Sequence, residues 1–136
     1  MSSESSPLLR PAPWGWRLVC GVYVATLFAA THIPLEMKGL SVHNNDKLLH
    51  FAAYGGLGAL FGWQAGRAWV WRRAAWLAWG AILLWAGLDE WTQPWFHRTL
   101  DGYDWLADAA GSALGVIAGL SVHTRSEPVK AQQVEV

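Results

Sequence analysis

The chain is poor in charge and almost without sulfur. Asp, Glu, Lys and Arg make up 15% of its 136 residues, against about 25% in an ordinary soluble domain. Cys20 is the lone cysteine, which excludes a disulfide scaffold and any cysteine-rich metal centre. There is no basic excess, since ten Lys and Arg face ten Asp and Glu. The electrostatic footprint of a nucleic-acid module is missing, and no nucleic-acid partner is expected. Nor is there the low hydrophobicity and high net charge of a disordered chain. Strict apolar–polar alternation is lacking, which removes a period-two β reading. The paired-histidine HExxH spacing is also lacking, and no metal and no cofactor is assigned.

What is there is apolar. Hydrophobic types reach 53%, with 11 Trp and 14 Gly, in a length that allows one domain. Four stretches are nearly free of charge: about Leu18 to Ile33, ending at Pro34; Leu48 to Ala65; Ala74 to Trp91; and Trp105 to Val122. Each is about long enough to cross a hydrocarbon core of ~30 Å at ~1.5 Å per residue. None carries the continuous polar face that a helix of a soluble bundle needs. The sequence therefore predicts an all-α polytopic membrane protein, a bundle of four transmembrane helices spanning 16–122. A flexible cytoplasmic arm over 1–15 precedes it, and a disordered cytoplasmic tail over 123–136 follows. The first span has no Ala-x-Ala site after it, so it reads as an uncleaved helix and not a signal peptide.

Basic residues set the orientation. Arg10, Arg17, Arg67, Arg72, Arg73, Arg125 and Lys130 fall on the side of both termini, while Lys38, Lys47 and Arg98 fall on the other. Seven against three places both termini in the cytoplasm. The outward side then holds Glu36, Asp46, Asp89, Glu90, Asp101, Asp104 and Asp108. Zero net charge is thus a cancellation, +4 inside against −4 outside, once Glu4, Glu127 and Glu135 are counted with the inner side. Trp14, Trp16, Trp63, Trp69 and Trp71 fall near the inner interface, and Trp91, Trp95 and Trp105 near the outer one, as in an aromatic belt. Trp76, Trp79 and Trp85 lie within the third span and read as lipid-facing or bundle-filling.

Glycine is patterned. Gly58, Gly62 and Gly66 repeat at four-residue spacing in the second span, and Gly111, Gly115 and Gly119 in the fourth. Small residues at i and i+4 let helix backbones approach closely in lipid, so the second and fourth helices are expected to pack tightly.

Hydrophobicity does not explain the polar residues at the outer ends. Asp46, His50 and Tyr54 are four apart with Lys47 beside them; Asp89 and Gln93 are four apart with Glu90 between; Asp104 and Asp108 open the fourth span. His97, Arg98 and Asp101 lie in the third connection. Ionisable groups at the bilayer edge are costly if they face lipid, so they point inward and pair. One use is catalytic. His50 acts as general acid or base, positioned by Asp89 or Asp46, with Glu90 as a second carboxylate. Arg98 and Lys47 clamp an anion, and Tyr54, Gln93, Asp104 and Asp108 complete the binding set. The other use is structural, as helix-end caps and ion pairs. His50, Asp89, Glu90 and Asp108 also make an oxygen-rich donor set with one imidazole, a weak metal signal on spacing alone.

The string Asp46-Lys47-Leu48-Leu49-His50-Phe51 with Tyr54, then Asp89-Glu90-x-x-Gln93, then Arg98, Asp104 and Asp108-x-x-Gly111-x-x-x-Gly115, resembles the VanZ-like family of small bacterial membrane proteins. The likeness covers roughly Pro34 to Leu120. Position 108 is Asp where many members look to have Asn. The resemblance implies a multi-pass protein of the bacterial cytoplasmic membrane with a cell-envelope role, linked by its namesake to teicoplanin resistance. Expected partners are membrane lipids, a lipid-linked envelope precursor and further copies of the chain, since a transport path would need self-association. Enzyme, headgroup- or cation-binding protein, and transporter all stay open.

Overall fold

The structure, a computed structural model, describes residues 14–32, 42–68 and 70–126. It is all-α: α1 (Trp14–His32), α2 (Val42–Gly66), α3 (Trp71–Thr92) and α4 (Gly102–Ser126), with a short 3-10 turn at Gln93–Phe96 between the last two. The four helices coincide with the four apolar stretches but overrun them. α2 starts six residues before Leu48, and α4 continues four residues past Val122. Apolar content sets the length of a span, whereas backbone hydrogen bonding sets the length of a helix, and polar residues continue it past the apolar run. Trp14 and Gly15, expected in the N-terminal arm, are already helical, and so are residues 123–126 of the expected tail. Residues 1–13 and 127–136, with Pro34, Glu36, Lys38 and Trp69, lie outside the described residues.

Pro94 has no N–H to extend α3, so the chain tightens into the 3-10 turn. His97 then adopts a left-handed backbone, φ 61°, and the Arg98 N–H closes back on the Gln93 carbonyl at 3.3 Å. α4 restarts at a side-chain cap. The Asp101 carboxylate accepts the Tyr103 N–H at 2.9 Å, and its carbonyl accepts the Asp104 N–H at 2.9 Å, the arrangement that satisfies a helix's first donors.

α2 and α4 are the most intimate pair. A Cβ at Gly58 would run into the Ser112 carbonyl oxygen, and one at Gly115 into that of Gly55. Gly62, Gly111 and Gly119 meet the opposite backbone in the same way, so the seam predicted from the glycine spacing is present over Gly58, Gly62, Gly111, Gly115 and Gly119, with Gly55 added. α3 lies across the pair. Trp79 Nε1 donates to the Ala109 carbonyl and Trp105 Nε1 to that of Leu83, both at 3.3 Å. Leu27, Tyr54, Leu57, Ile82 and Ala86 form the main core cluster, flanked by Tyr23, Phe61 and Trp85. Of the three mid-span tryptophans, Trp79 and Trp85 fill the bundle, while Trp76 is 69% exposed.

Burial is inverted. Among the described residues other than glycine, eight apolar and nine polar or charged ones are buried, while Leu77, Leu84 and Trp76 stand out from the surface at 75%, 74% and 69% exposure. By length and composition alone, one helix of the described residues, Gly102–Val122, is long and apolar enough to cross a membrane, at mean hydropathy 1.5. α3 carries Arg72, Arg73, Asp89 and Glu90, α2 carries Asp46 and Lys47, and α1 carries Arg17 and His32, which lowers their hydropathy.

Candidate functional site

The nine buried polar side chains are Thr31, His32, His50, Asp89, Glu90, Gln93, Asp104, Asp108 and Ser112. Eight of them gather at one end of the bundle, where α1 and α3 finish and α2 and α4 begin; Ser112 lies one turn beyond Asp108. Asp108 lies six residues into α4, about 9 Å along its axis at ~1.5 Å per residue. That depth is beyond the first turn, where a carboxylate caps a helix.

The site has two compartments. In the first, His50 Nδ1 and Asp108 Oδ1 are hydrogen-bonded at 3.0 Å, with 3% and 0% of the side chains exposed. Expectation had assigned Asp89 or Asp46 to orient His50; the residue that does so is Asp108, reached because the glycine seam draws α4 against α2. Glu90 joins this compartment. Its Oε1 accepts from Gln93 Nε2 at 2.8 Å and its Oε2 from the Asp101 N–H at 3.2 Å. One donor atom from each of His50, Glu90 and Asp108 lies within 4.8 Å of the others. Asp108 Oδ2 and Gln93 Oε1 are buried with no hydrogen-bond partner.

Asp89 belongs to the second compartment, against α1. Its Oδ1 accepts from the Thr31 hydroxyl at 3.0 Å and its Oδ2 from the Tyr54 hydroxyl at 3.2 Å. His32 Nδ1 stands 3.5 Å from the same carboxylate, and its Nε2 is 2.9 Å from the Thr92 hydroxyl. Asp89 and Glu90 are neighbours in sequence, so their side chains leave α3 about 100° apart and serve different partners. Tyr54 is fully buried and orients Asp89. Thr31 and His32 were not anticipated. Two adjacent polar residues closing an otherwise apolar run were the available signal.

A half-exposed rim covers the first compartment. Lys47 Nζ bridges Asp101 Oδ2 at 2.6 Å and Asp104 Oδ1 at 2.9 Å. Arg98 donates to Asp46 Oδ2 at 2.7 Å and to the Thr31 carbonyl at 3.0 Å. The two cations expected to clamp an anion are therefore paired with carboxylates. An anion would have to exchange with Asp46, Asp101 or Asp104 to reach them. The arrangement offers a buried imidazole–carboxylate pair able to move a proton, a second carboxylate beside it, and a rim of two cations held in ion pairs. No family model, curated protein or solved structure matches the chain.

Proposed function

We propose that the chain is an integral membrane protein of the bacterial cell envelope, a bundle of four transmembrane helices with both termini in the cytoplasm. Its polar end, at the outer leaflet, binds or processes the phosphate-bearing headgroup of a lipid-linked envelope molecule. The observation that carries this reading is the inversion of burial: Asp89 and Asp108 are 1% and 0% exposed while large apolar side chains cover the outside. In water that distribution is costly on both counts; with lipid outside, the apolar surface is solvated and the charges are shielded by one another. The tryptophan belts support the span boundaries, and the excess of basic residues on one side supports the orientation. The resemblance to the VanZ-like family supports the envelope role and a contribution to teicoplanin tolerance.

The site residues divide the work by position. Arg98 and Lys47 stand at the rim, where Arg in particular suits two-pronged recognition of phosphate oxygens. His50, paired with Asp108, is placed to take or give a proton. The neutralisation of both rim cations favours a second reading, in which the cluster is a structural device that gives four short helices a single arrangement. His50→Gln and Asp108→Asn separate the two. In cells lacking the wild-type chain, both variants are expected to accumulate in the membrane at normal level and orientation, yet to leave cells as sensitive to teicoplanin and other envelope stress as the deletion. Full protection by both variants would overturn the proposal, and loss of the protein itself would favour the structural reading.

A further inference from the structure

We propose that His50, Glu90 and Asp108 form a binding site for one divalent metal cation, with Gln93 as a further oxygen donor. Three features converge on it. The first is geometry: one donor atom from each of the three lies within 4.8 Å of the others, and all three residues are buried. An ion at ~2.0–2.2 Å from each donor needs them no more than about 4.4 Å apart, so this spacing asks for a closure of a few tenths of an ångström at most. The second is unmet hydrogen bonding. Asp108 Oδ2 and Gln93 Oε1 have no partner and both side chains are fully buried, whereas buried oxygens of this kind nearly always have one. Gln93 cannot turn away, because its Nε2 is held by Glu90. Its carbonyl oxygen is an acceptor only, as is the free oxygen of ionised Asp108, and a cation satisfies both.

The third is charge. Asp46, Asp89, Glu90, Asp101, Asp104 and Asp108 are gathered at this end with two permanent cations, Lys47 and Arg98. With His50 neutral, as a metal ligand must be, six carboxylates face two permanent cations, and one divalent ion removes two of the excess negative charges. An uncompensated negative charge at this depth would cost several kcal/mol or more.

The ring nitrogen beside Asp108 is His50 Nδ1, so Nδ1 is the imidazole donor. With the ring proton on Nε2, the Nδ1 lone pair and the Asp108 carboxylate face the same ion, which replaces the hydrogen bond between them. The second grouping, Asp46 with His50 and Asp104, is the poorer one, because Arg98 and Lys47 already occupy its carboxylates. Two carboxylates, an amide oxygen and one imidazole, without thiolate, select Mn²⁺ or Zn²⁺ over softer ions. The inference rests on the headgroup reading only for what fills the remaining coordination positions, where a phosphate oxygen would sit. The cation would add to the attraction for phosphate that Lys47 and Arg98, shared with carboxylates, offer only by exchange.

The test uses the full chain in detergent, stripped with chelator and titrated with Mn²⁺ or Zn²⁺ by calorimetry and metal analysis. One equivalent is expected to bind, with affinity falling more than about 100-fold in Glu90→Gln and in Asp108→Asn, beyond what loss of an outer-shell partner causes. Asp89→Asn, which removes a charge from the neighbouring compartment, is expected to keep the ion. Should a variant not fold, pulsed electron paramagnetic resonance of Mn²⁺ on the wild-type chain reads the ligands directly, and coupling to an imidazole nitrogen is expected. Three results would overturn the site: no stoichiometric binding, binding that survives both Glu90→Gln and Asp108→Asn, or bound Mn²⁺ without nitrogen coupling. Stoichiometric binding in a chain that gives no envelope protection would keep the metal site and remove the headgroup reading; the reverse result would do the opposite.

Discussion

α2 is held to α4 by the absence of side chains, and α1 is held to the bundle by their polar ends. Along the first interface, carbonyls of Gly55, Ala59, Ser112 and Val116 sit where a Cβ on the facing glycine would have to go. At the second, the Tyr23 hydroxyl donates to the Ala53 carbonyl at 2.6 Å, Thr31 donates to Asp89, and Arg98 donates to the Thr31 carbonyl. Close backbone packing runs along the first interface, with the His50–Asp108 and Lys47–Asp104 hydrogen bonds at its polar end; at the second, hydrogen bonds from side chains predominate. The seam sets the His50–Asp108 distance, because those residues stand on the two helices it joins. The polar clasp on α1 sets where Asp89 points.

The largest expected effect comes from adding one methyl group to the seam. Gly115→Ala places a carbon against the Gly55 carbonyl and the Ala59 nitrogen, neither of which can move without its helix. Overpacking of this kind costs about 1–3 kcal/mol, a large share of a total stability of about 5–15 kcal/mol. The same methyl in Gly80→Ala meets nothing within 4 Å and is expected to leave stability unchanged or raise it by up to about 1 kcal/mol through helix propensity. Thermal unfolding in detergent, followed with a thiol-reactive dye at Cys20, ranks the two. Equal midpoints would mean that the seam does not hold the fold.

Next comes the clasp. Asp89→Leu strands the Tyr54 hydroxyl and breaks the link from Thr31 to α3, leaving Thr31 its own Phe28 carbonyl, and stranding a buried donor costs about 1–3 kcal/mol. The expected outcome is faster labelling of Cys20 at temperatures below the main transition, as α1 loosens while α2 and α4 stay together. A single transition with unchanged Cys20 kinetics would show that α1 is held by its apolar contacts, Leu27 foremost, and would merge the two regions into one.

The seam was legible in the sequence because four-residue spacing fixes a helix face without reference to any partner. Gly58, Gly62, Gly111, Gly115 and Gly119 needed only the helical period. The polar end was legible for a similar reason: short connections make successive helices antiparallel, so the start of α2, the end of α3 and the start of α4 must meet. Which carboxylate serves His50 was not legible. Its partner, Asp108, comes from α4, and the register of α4 along α2 is not given by spacing within either helix. The rotation of α3, where about 100° separates Asp89 from Glu90, decides only which of those two faces α1. Thr31 and His32 stayed hidden because no periodic companion on α1 marked their face. The roles of Lys47 and Arg98 were hidden in another way. Their charge suggested an anion, but the acids that take it up come from three other places in the chain, Asp46, Asp101 and Asp104.

The smallest expected effect concerns that rim, and it separates ion pairing at the mouth of the site from the clasp beneath. Lys47, one residue ahead of the second apolar run, has its ammonium held well above the ordinary lysine value by its hydrogen bonds to Asp101 and then Asp104. A lysine raised in this way stabilises the folded chain fully below its unfolded value of about 10.4, and the contribution disappears only as pH rises through the folded value. Between neutral pH and about pH 10 the rim should therefore not change. Acylation of Lys47, quantified by mass spectrometry, tests this because only the free amine reacts. In the unfolded chain the rate should level off above the ordinary lysine range; in the folded chain it should still be climbing there, about tenfold behind for each unit of displacement. Asp101→Asn combined with Asp104→Asn should bring the two profiles together. Profiles that already coincide in the wild-type chain would mean that the carboxylates do not hold the ammonium in solution, leaving Lys47 free to meet an anion as the sequence first suggested.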